Sequence, residues 1–267
     1  MDDLVCSGLD ELALFAGAGG GILGGKLLGW RTRCAVEIDP YARRVLLARQ
    51  RDGNLPRFPI WDDVQTFDGK PWRGSIDVIS GGFPCQDISA AGRGEGITGK
   101  RSGLWSEMAR IVAEVVPQFV FVENSPMLTS RGLGVVLGDL AALGYDARWG
   151  VLGAHHAGAP HKRDRIWILA RHADSQSEPA QPVHAQASRV PGLVANAYDK
   201  RLQRPIGSRS AAAQRASKGH STKCNWWEAE PQLGRVAHGV ANRVDRLRAI
   251  GNGQVPAVVR LAWRVLS

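Results

Sequence analysis

An α/β fold with a doubly wound, mostly parallel sheet is what the first 170 of the 267 residues predict. Three observations carry this. Short runs rich in Val, Ile and Phe recur at 11–15, 33–38, 76–82, 119–124, 147–152 and 165–170, most of them bounded by Gly, Pro or Asp, as strands are. Stretches with helical apolar spacing lie between them, at 21–28, 40–49, 104–116 and 132–143. Such alternation implies parallel strands joined by helices that cover both faces of the sheet.

The pattern fails beyond Arg171. Residues 172–224 are rich in Ala, Ser, Gln and Arg and poor in large apolar side chains, the composition of a loop-rich small domain or a partly disordered segment. Residues 171–243 hold eleven Lys and Arg against five Asp and Glu, so six of the chain's nine net positive charges fall there. That asymmetry places a polyanion-facing surface outside the α/β core. Periodicity returns at the end, where 257–266 reads as an apolar helix. The expected division is therefore a core of residues 1–170 plus 244–267 and a small basic region at 171–243. Four scattered cysteines, Cys6, Cys34, Cys85 and Cys224, make neither a C-x-x-C pair nor a disulfide framework, which argues against structural zinc and for a reduced setting. No apolar run approaches a membrane span, and Met1-Asp2-Asp3 is no signal peptide, so the reading is a soluble intracellular protein without a metal.

Four segments carry chemistry. Leu14-Phe15-Ala16-Gly17-Ala18-Gly19-Gly20-Gly21 stands where a strand turns into a helix, and its glycines let backbone approach a ligand. It is not the dinucleotide fingerprint, because Ile22 occupies the third glycine's place. About 20 residues further on, Glu37 ends the next strand, where nucleoside-binding α/β folds receive ribose hydroxyls. Gly81-Gly82-Phe83-Pro84-Cys85-Gln86 sets Cys85 just past the carboxyl end of a strand, where open sheets place ligands. A cysteine there is a soft nucleophile that needs local activation. The Gly-rich, basic stretch from Gly92 through Arg101 suits a lid over a phosphate backbone. Phe119-Val120-Phe121-Val122-Glu123-Asn124 ends an apolar strand in a carboxylate that burial would make a weaker acid. In Pro160-His161-Lys162-Arg163-Asp164-Arg165, a strand would put Arg163 and Arg165 on one face, as paired guanidinium groups for a phosphate or carbonyl oxygen. Each segment also has a structural reading: a tight turn, a buried thiol, an ion-paired carboxylate, a solvated strand end.

In combination and in order, these segments resemble the DNA (cytosine-5) methyltransferase family of bacterial or phage type. Phe15 to Gly20 is similar to its cofactor loop, Glu37 to its ribose acid and Asp63-Val64 to its adenine-contacting pair. Pro84-Cys85-Gln86 is similar to its nucleophile motif, Glu123-Asn124 to its acid, Arg163 and Arg165 to its paired arginines, and residues 246–252 to its closing motifs. The likeness covers residues 11–170 and 243–266. Three departures stand out: His161 where Gln is usual, Ser125 where Val is commoner, and Gly253-Gln254, which reads as one residue added before Val255-Pro256.

The resemblance implies a Rossmann-like, S-adenosylmethionine-dependent fold with a small target-recognition domain at 171–243. It implies methyl transfer to carbon 5 of a flipped-out cytosine in duplex DNA through a covalent Cys85 adduct, with Glu123, Arg163 and Arg165 assisting. For S-adenosylmethionine it implies contacts from Phe15, Ala16, Gly17, Gly19, Gly20, Glu37, Ile38, Asp63, Val64, Pro84, Leu104 and Asn252, with Asp62 an alternative to Asp63. DNA contacts are expected from Gln86, Ser89, Arg93, Lys100 and Arg101, and from Arg201, Arg204, Arg209, Arg215 and Lys223. Trp226 and Trp227 read as core of the small domain. The implied setting is a single chain in the cytoplasm of a bacterium or phage-infected host, with a cognate restriction endonuclease as a partner. Two alternatives stay open at this point: an RNA cytosine-5 methyltransferase of the same fold, and a catalytically idle DNA-binding protein. A nicotinamide oxidoreductase is disfavoured by Ile22.

Overall fold

Seven strands form one sheet in the computed structural model, which describes residues 8–84, 103–176 and 243–267. They are β1 (Asp10–Leu14), β2 (Arg31–Val36), β3 (Ile60–Trp61), β4 (Val78–Gly81), β5 (Phe119–Asn124), β6 (Tyr145–Leu152) and β7 (Arg165–His172). Their order across the sheet is β3-β2-β1-β4-β5-β7-β6. Every pairing among β1 to β5 is parallel, and β7 runs antiparallel to both its neighbours. The reversal follows from connectivity. Between β6 and β7 the chain has one 3-10 turn, Ala154–Ala157, and no crossover helix, so the two strands pair as antiparallel neighbours.

Seven helices accompany the sheet among the described residues: α1 (Gly20–Leu27), α2 (Pro40–Arg51), α3 (Leu104–Val115), α4 (Leu128–Arg131), α5 (Leu133–Ala142), α6 (Arg243–Asn252) and α7 (Pro256–Leu266). Sequence signals explain where several begin and what they bury. Asp39 caps α2, its carboxylate accepting from the Tyr41 N–H at 2.7 Å, and Pro40 opens the first turn. α3 buries the stripe Trp105, Met108, Ile111, Val112 and Val115.

Side chains alternate across the strands, so each sheet face gets its own core. On one face Leu12, Leu14, Ile79, Val120 and Val122 pack with Met108 and Ile111 of α3 and with Val136 and Leu140 of α5. On the other, Ala13 and Ala35 meet Ile22 of α1 and Leu46 of α2, while Val78, Phe121 and Trp167 meet Val258, Val259 and Trp263 of α7. Trp263 stands edge-on to Trp30 at 4.7 Å and to Phe121 at 5.4 Å, the arrangement ring quadrupoles favour. The chain's last helix is thereby built into the sheet that its first strand begins. This is the doubly wound architecture that strand–helix alternation predicts.

The differences are at ends and in short elements. β3, α4 and α6 lie outside the periodic segments; β3 has two residues and α4 has four, too few to show a period. β2 starts and stops two residues early, at Arg31 and Val36, which leaves Glu37 just beyond the strand rather than on its last position.

One carboxylate is buried inside the frame. Glu11 on β1 is fully buried, with the Thr32 hydroxyl donating to one oxygen at 2.7 Å and the Ser80 hydroxyl to the other at 2.6 Å. Burial raises its pKa, and the two hydroxyls oppose that rise. The folded protein thus binds this proton more tightly than the unfolded chain. The associated stability is full below the ordinary carboxylate range and is lost as pH rises through the raised pKa. Glu11→Gln, which cannot ionise, is expected to melt progressively higher relative to the unsubstituted protein as pH rises above the ordinary carboxylate range. A melting difference that stays constant with pH would contradict the assignment.

Candidate active site

The strand order reverses between β1 and β4: from β1 the chain moves outward to β2, and from β4 it moves the other way to β5. Loops leaving the carboxyl ends of β1 and β4 therefore diverge and open a crevice at the switch point. A cavity of about 530 Å³ lies there. Phe15 and Gly17 line it from the end of β1, Glu37 and Ile38 from β2, Asp63 and Val64 from beyond β3 and Pro84 from β4. Glu123 enters from β5, Arg165 from β7, Leu104 from α3 and Asn252 from α6. Most of the residues read from sequence as cofactor contacts thus converge on one hollow.

The loop after β1 is bent to fit. Phe15 adopts a left-handed backbone (φ 53°), unusual for a residue with a side chain and costing on the order of 1 kcal/mol. Glu37 holds the bend: one of its oxygens accepts the Gly17 N–H at 2.6 Å and the other the Asp39 N–H at 2.8 Å. Burial pushes the Glu37 carboxyl up, against these two N–H groups. Each carboxylate oxygen has a further lone pair, so Glu37 at the cavity wall keeps acceptor capacity for a ligand hydroxyl. Asp63, rather than Asp62, lines the cavity, with its turn fixed by the Gln65 N–H donating to it at 2.9 Å. Ala16 lines a small neighbouring hollow, whereas Gly19 and Gly20 face protein: a Cβ on Gly19 would meet Leu46 and one on Gly20 the Gln254 backbone.

At the inner wall Glu123 is buried and pairs with Arg165, whose Nε lies 2.8 Å from Glu123 Oε1. Burial raises the Glu123 pKa, opposed chiefly by Arg165 and less by Gln254 and Arg163. The next residue, Asn124, ties two strands together: its Nδ2 donates to the Phe83 carbonyl at 3.1 Å and its Oδ1 accepts the Ser125 N–H at 2.7 Å. The chain entering Pro84 is anchored by that bond. Cys85, Gln86, Ser89, Arg93, Lys100 and Arg101 lie outside the described residues, as do Arg201, Arg204, Arg209, Arg215, Lys223, Trp226 and Trp227. Among the described residues the one cysteine is Cys34, buried in β2 with its thiol pushed up to about 11 by desolvation, which suits packing and not nucleophilic attack.

The family model for C-5 cytosine-specific DNA methylases matches residues 9–240. This chain belongs to that family. It is 36% identical over 169 residues to the type II methyltransferase M.CviJI of Paramecium bursaria Chlorella virus IL3A, covering 62% of this chain and 44% of that one. To M.HhaI, a type II methyltransferase of Haemophilus parahaemolyticus, it is 33% identical over 171 residues, covering 62% of this chain and 50% of the relative. The chain spans about half the length of the curated relatives it matches. Its fold is similar to that of the solved S. pombe Dnmt2 methyltransferase, with a TM-score of 0.50 and 22% identity over 62% of this chain and 50% of that one.

The two arginines have different tasks. Arg163 does not share a strand face with Arg165, because β7 begins at Arg165 and Arg163 precedes it in a left-handed backbone (φ 42°). Its Nη2 donates instead to the Gly251 carbonyl at 2.8 Å and to the Gly253 carbonyl, fastening the turn after α6 to the site. No local signal announces a bond that joins residues so far apart along the chain. Arg163→Ala is expected to lose about 1.5–3 kcal/mol of stability, the worth of charge-assisted hydrogen bonds, and to speed amide exchange around residues 251–255. Unchanged exchange there would show that Arg163 does not hold the turn.

Proposed function

We propose that the chain transfers a methyl group from S-adenosylmethionine to carbon 5 of a cytosine flipped out of duplex DNA, through a covalent adduct with Cys85. The observation that carries the reading is the Glu123–Arg165 pair on the wall of the nucleoside-sized cavity that Pro84, the residue before Cys85, also lines. An idle DNA-binding protein would have no need of a buried acid paired in this way.

Phe15, Glu37, Asp63 and Asn252 would hold S-adenosylmethionine: an aromatic face for the adenine, a carboxylate for the ribose, a second for the adenine amine and an amide for the amino-acid end. The bound donor supplies an electrophilic methyl group. Carbon 5 of cytosine is too poor a nucleophile to take it unaided. Cys85, as thiolate, adds to carbon 6, and the electrons of the carbon 5–carbon 6 double bond become available at carbon 5. Glu123, whose pKa burial raises, would give a proton to N3 as the adduct forms, and Arg165 would stabilise the charge that develops on O2. Once carbon 5 is methylated, a base removes its proton, the Cys85 sulfur is expelled as thiolate and N3 returns its proton to Glu123, which restores the ring. The base must leave the stack to be reached, at a cost of roughly a few kcal/mol.

Residues 171–243, with their excess of positive charge, are proposed as the target-recognition region and the basic stretch up to Arg101 as the lid. Duplex DNA is the proposed partner, and a restriction nuclease of matching specificity the proposed companion, since the relatives carry type II names. The proposed place of action is the cytoplasm. Among the described residues no helix is long and apolar enough to cross a membrane.

Purified protein with labelled S-adenosylmethionine is expected to label cytosine in duplex DNA and not transfer RNA. Cys85→Ala should abolish incorporation while S-adenosylmethionine affinity stays within about twofold, and Glu123→Gln should slow it by about 10²–10⁴. Full methylation by Cys85→Ala would refute the covalent route, and labelling confined to transfer RNA would overturn the DNA assignment.

A further inference from the structure

A carboxyl group has two oxygens, and the sequence motifs account for a partner on only one of those of Glu123. Arg165 takes Oε1. Oε2 is met by Gln254, whose Nε2 lies 3.4 Å away. That distance is long for a hydrogen bond, and such bonds at catalytic groups commonly tighten when substrate binds.

The approach of Gln254 is built from several directions. Arg163 gathers the Gly251 and Gly253 carbonyls, which sets the course of the chain just before Gln254. α7 then begins at Pro256 and is buried against the sheet through Val258, Val259 and Trp263, which fixes the chain just after. Between these anchors the side chain enters a slot emptied by glycines. A Cβ on Gly21 would stand 2.5 Å from Gln254 Oε1, one on Gly82 would stand 3.2 Å from Gln254 Nε2 and 2.6 Å from Glu123 Oε2, and one on Gly20 would strike the Gln254 carbonyl. These glycines leave room for Gln254. Residues 253–254 therefore do more than lengthen a loop.

We infer that Gln254 is a positioning residue for the Glu123 acid, its amide holding the carboxyl oxygen that Arg165 leaves open. The inference rests on the methyl-transfer reading above. With a guanidinium against Oε1, the proton resides on Oε2, the oxygen that must face the base, and Gln254 fixes where that oxygen points. Its amide N–H is also a donor, so it favours the ionised form and limits how tightly Glu123 keeps its proton. Burial pulls the other way. Among the described residues the charged groups acting on Glu123 are Arg165 at the start of β7 and Arg163 just before it, both favouring ionisation.

Two variants test this by the pH dependence of kcat on duplex DNA, with melting temperature as a check on folding. Gln254→Met keeps the size and removes the donor; Gln254→Glu replaces the donor with a second carboxyl group. The unsubstituted enzyme loses activity as pH rises through the Glu123 pKa. Gln254→Met should be about tenfold slower at neutral pH, with that alkaline limb moved upward, and Gln254→Glu should move it further. Should Gln254→Met fail to fold, the limb of Gln254→Glu decides. A limb that does not move in a folded variant, whether or not kcat falls, overturns the inference and leaves methyl transfer standing. An unsubstituted protein that labels no cytosine overturns the underlying reading and the inference with it.

Discussion

One strand runs the wrong way, and the site depends on it. In the antiparallel pairing of β5 with β7, Glu123 stands opposite Trp167 and Asn124 opposite Ile166, so the first residue of β7 arrives at the last residues of β5. Arg165 consequently lies beside Glu123, on the same face as Phe121 and Trp167, which stack at 5.4 Å. Were β7 parallel, Arg165 would start at the far end of the sheet, some 20 Å from the acid. A carboxylate as buried as Glu123 would then face an apolar wall with no countercharge, a strongly unfavourable arrangement. The reversal thus converts a costly buried acid into a held one.

From that pair the rest of the site can be followed outward. The Glu123 pair lines the cavity from β5 and β7, and Glu37 lines it from just beyond β2 while gripping the loop that carries Phe15. Both carboxylates are pushed up by burial, but different partners restrain them. Glu37 has backbone N–H groups, which cannot move away, whereas Glu123 has side chains, which can. Rigid backbone bonds suit a carboxylate proposed to hold a ribose, which takes no part in the transfer. Side-chain partners suit a group proposed to take and surrender a proton.

Much of this was legible in the sequence because the relevant signals are local. A strand followed at once by glycines locates Phe15 to Gly17, an apolar run ending in a carboxylate locates Glu123, and regular apolar spacing locates α3 and α7. Contacts between segments far apart were not legible. Arg163 reads as a partner of Arg165 by spacing, yet it spends its guanidinium on carbonyls after α6. Gln254 reads as an added residue, and its place beside Glu123 emerges only when α7 docks on the sheet. That the side-chain space at Gly19 and Gly20 is filled by Leu46 and by Gln254 was likewise not legible. Short elements such as β3 carry no period at all, and pairing with β2 is what makes them strands.

The proposed reaction requires acid, arginine and nucleoside cavity to act on one extruded pyrimidine. The most direct measurement is a crystal structure of the protein trapped on a duplex containing 5-fluorocytosine, whose fluorine cannot leave as a proton does and so halts the reaction at the adduct. The expected structure has the base out of the helix, its carbon 6 bonded to Cys85 Sγ, its N3 against Glu123 and its O2 against Arg165, with the demethylated donor between Phe15 and Glu37. A duplex bound with every base stacked, or a donor product seated away from the switch-point cavity, would contradict it.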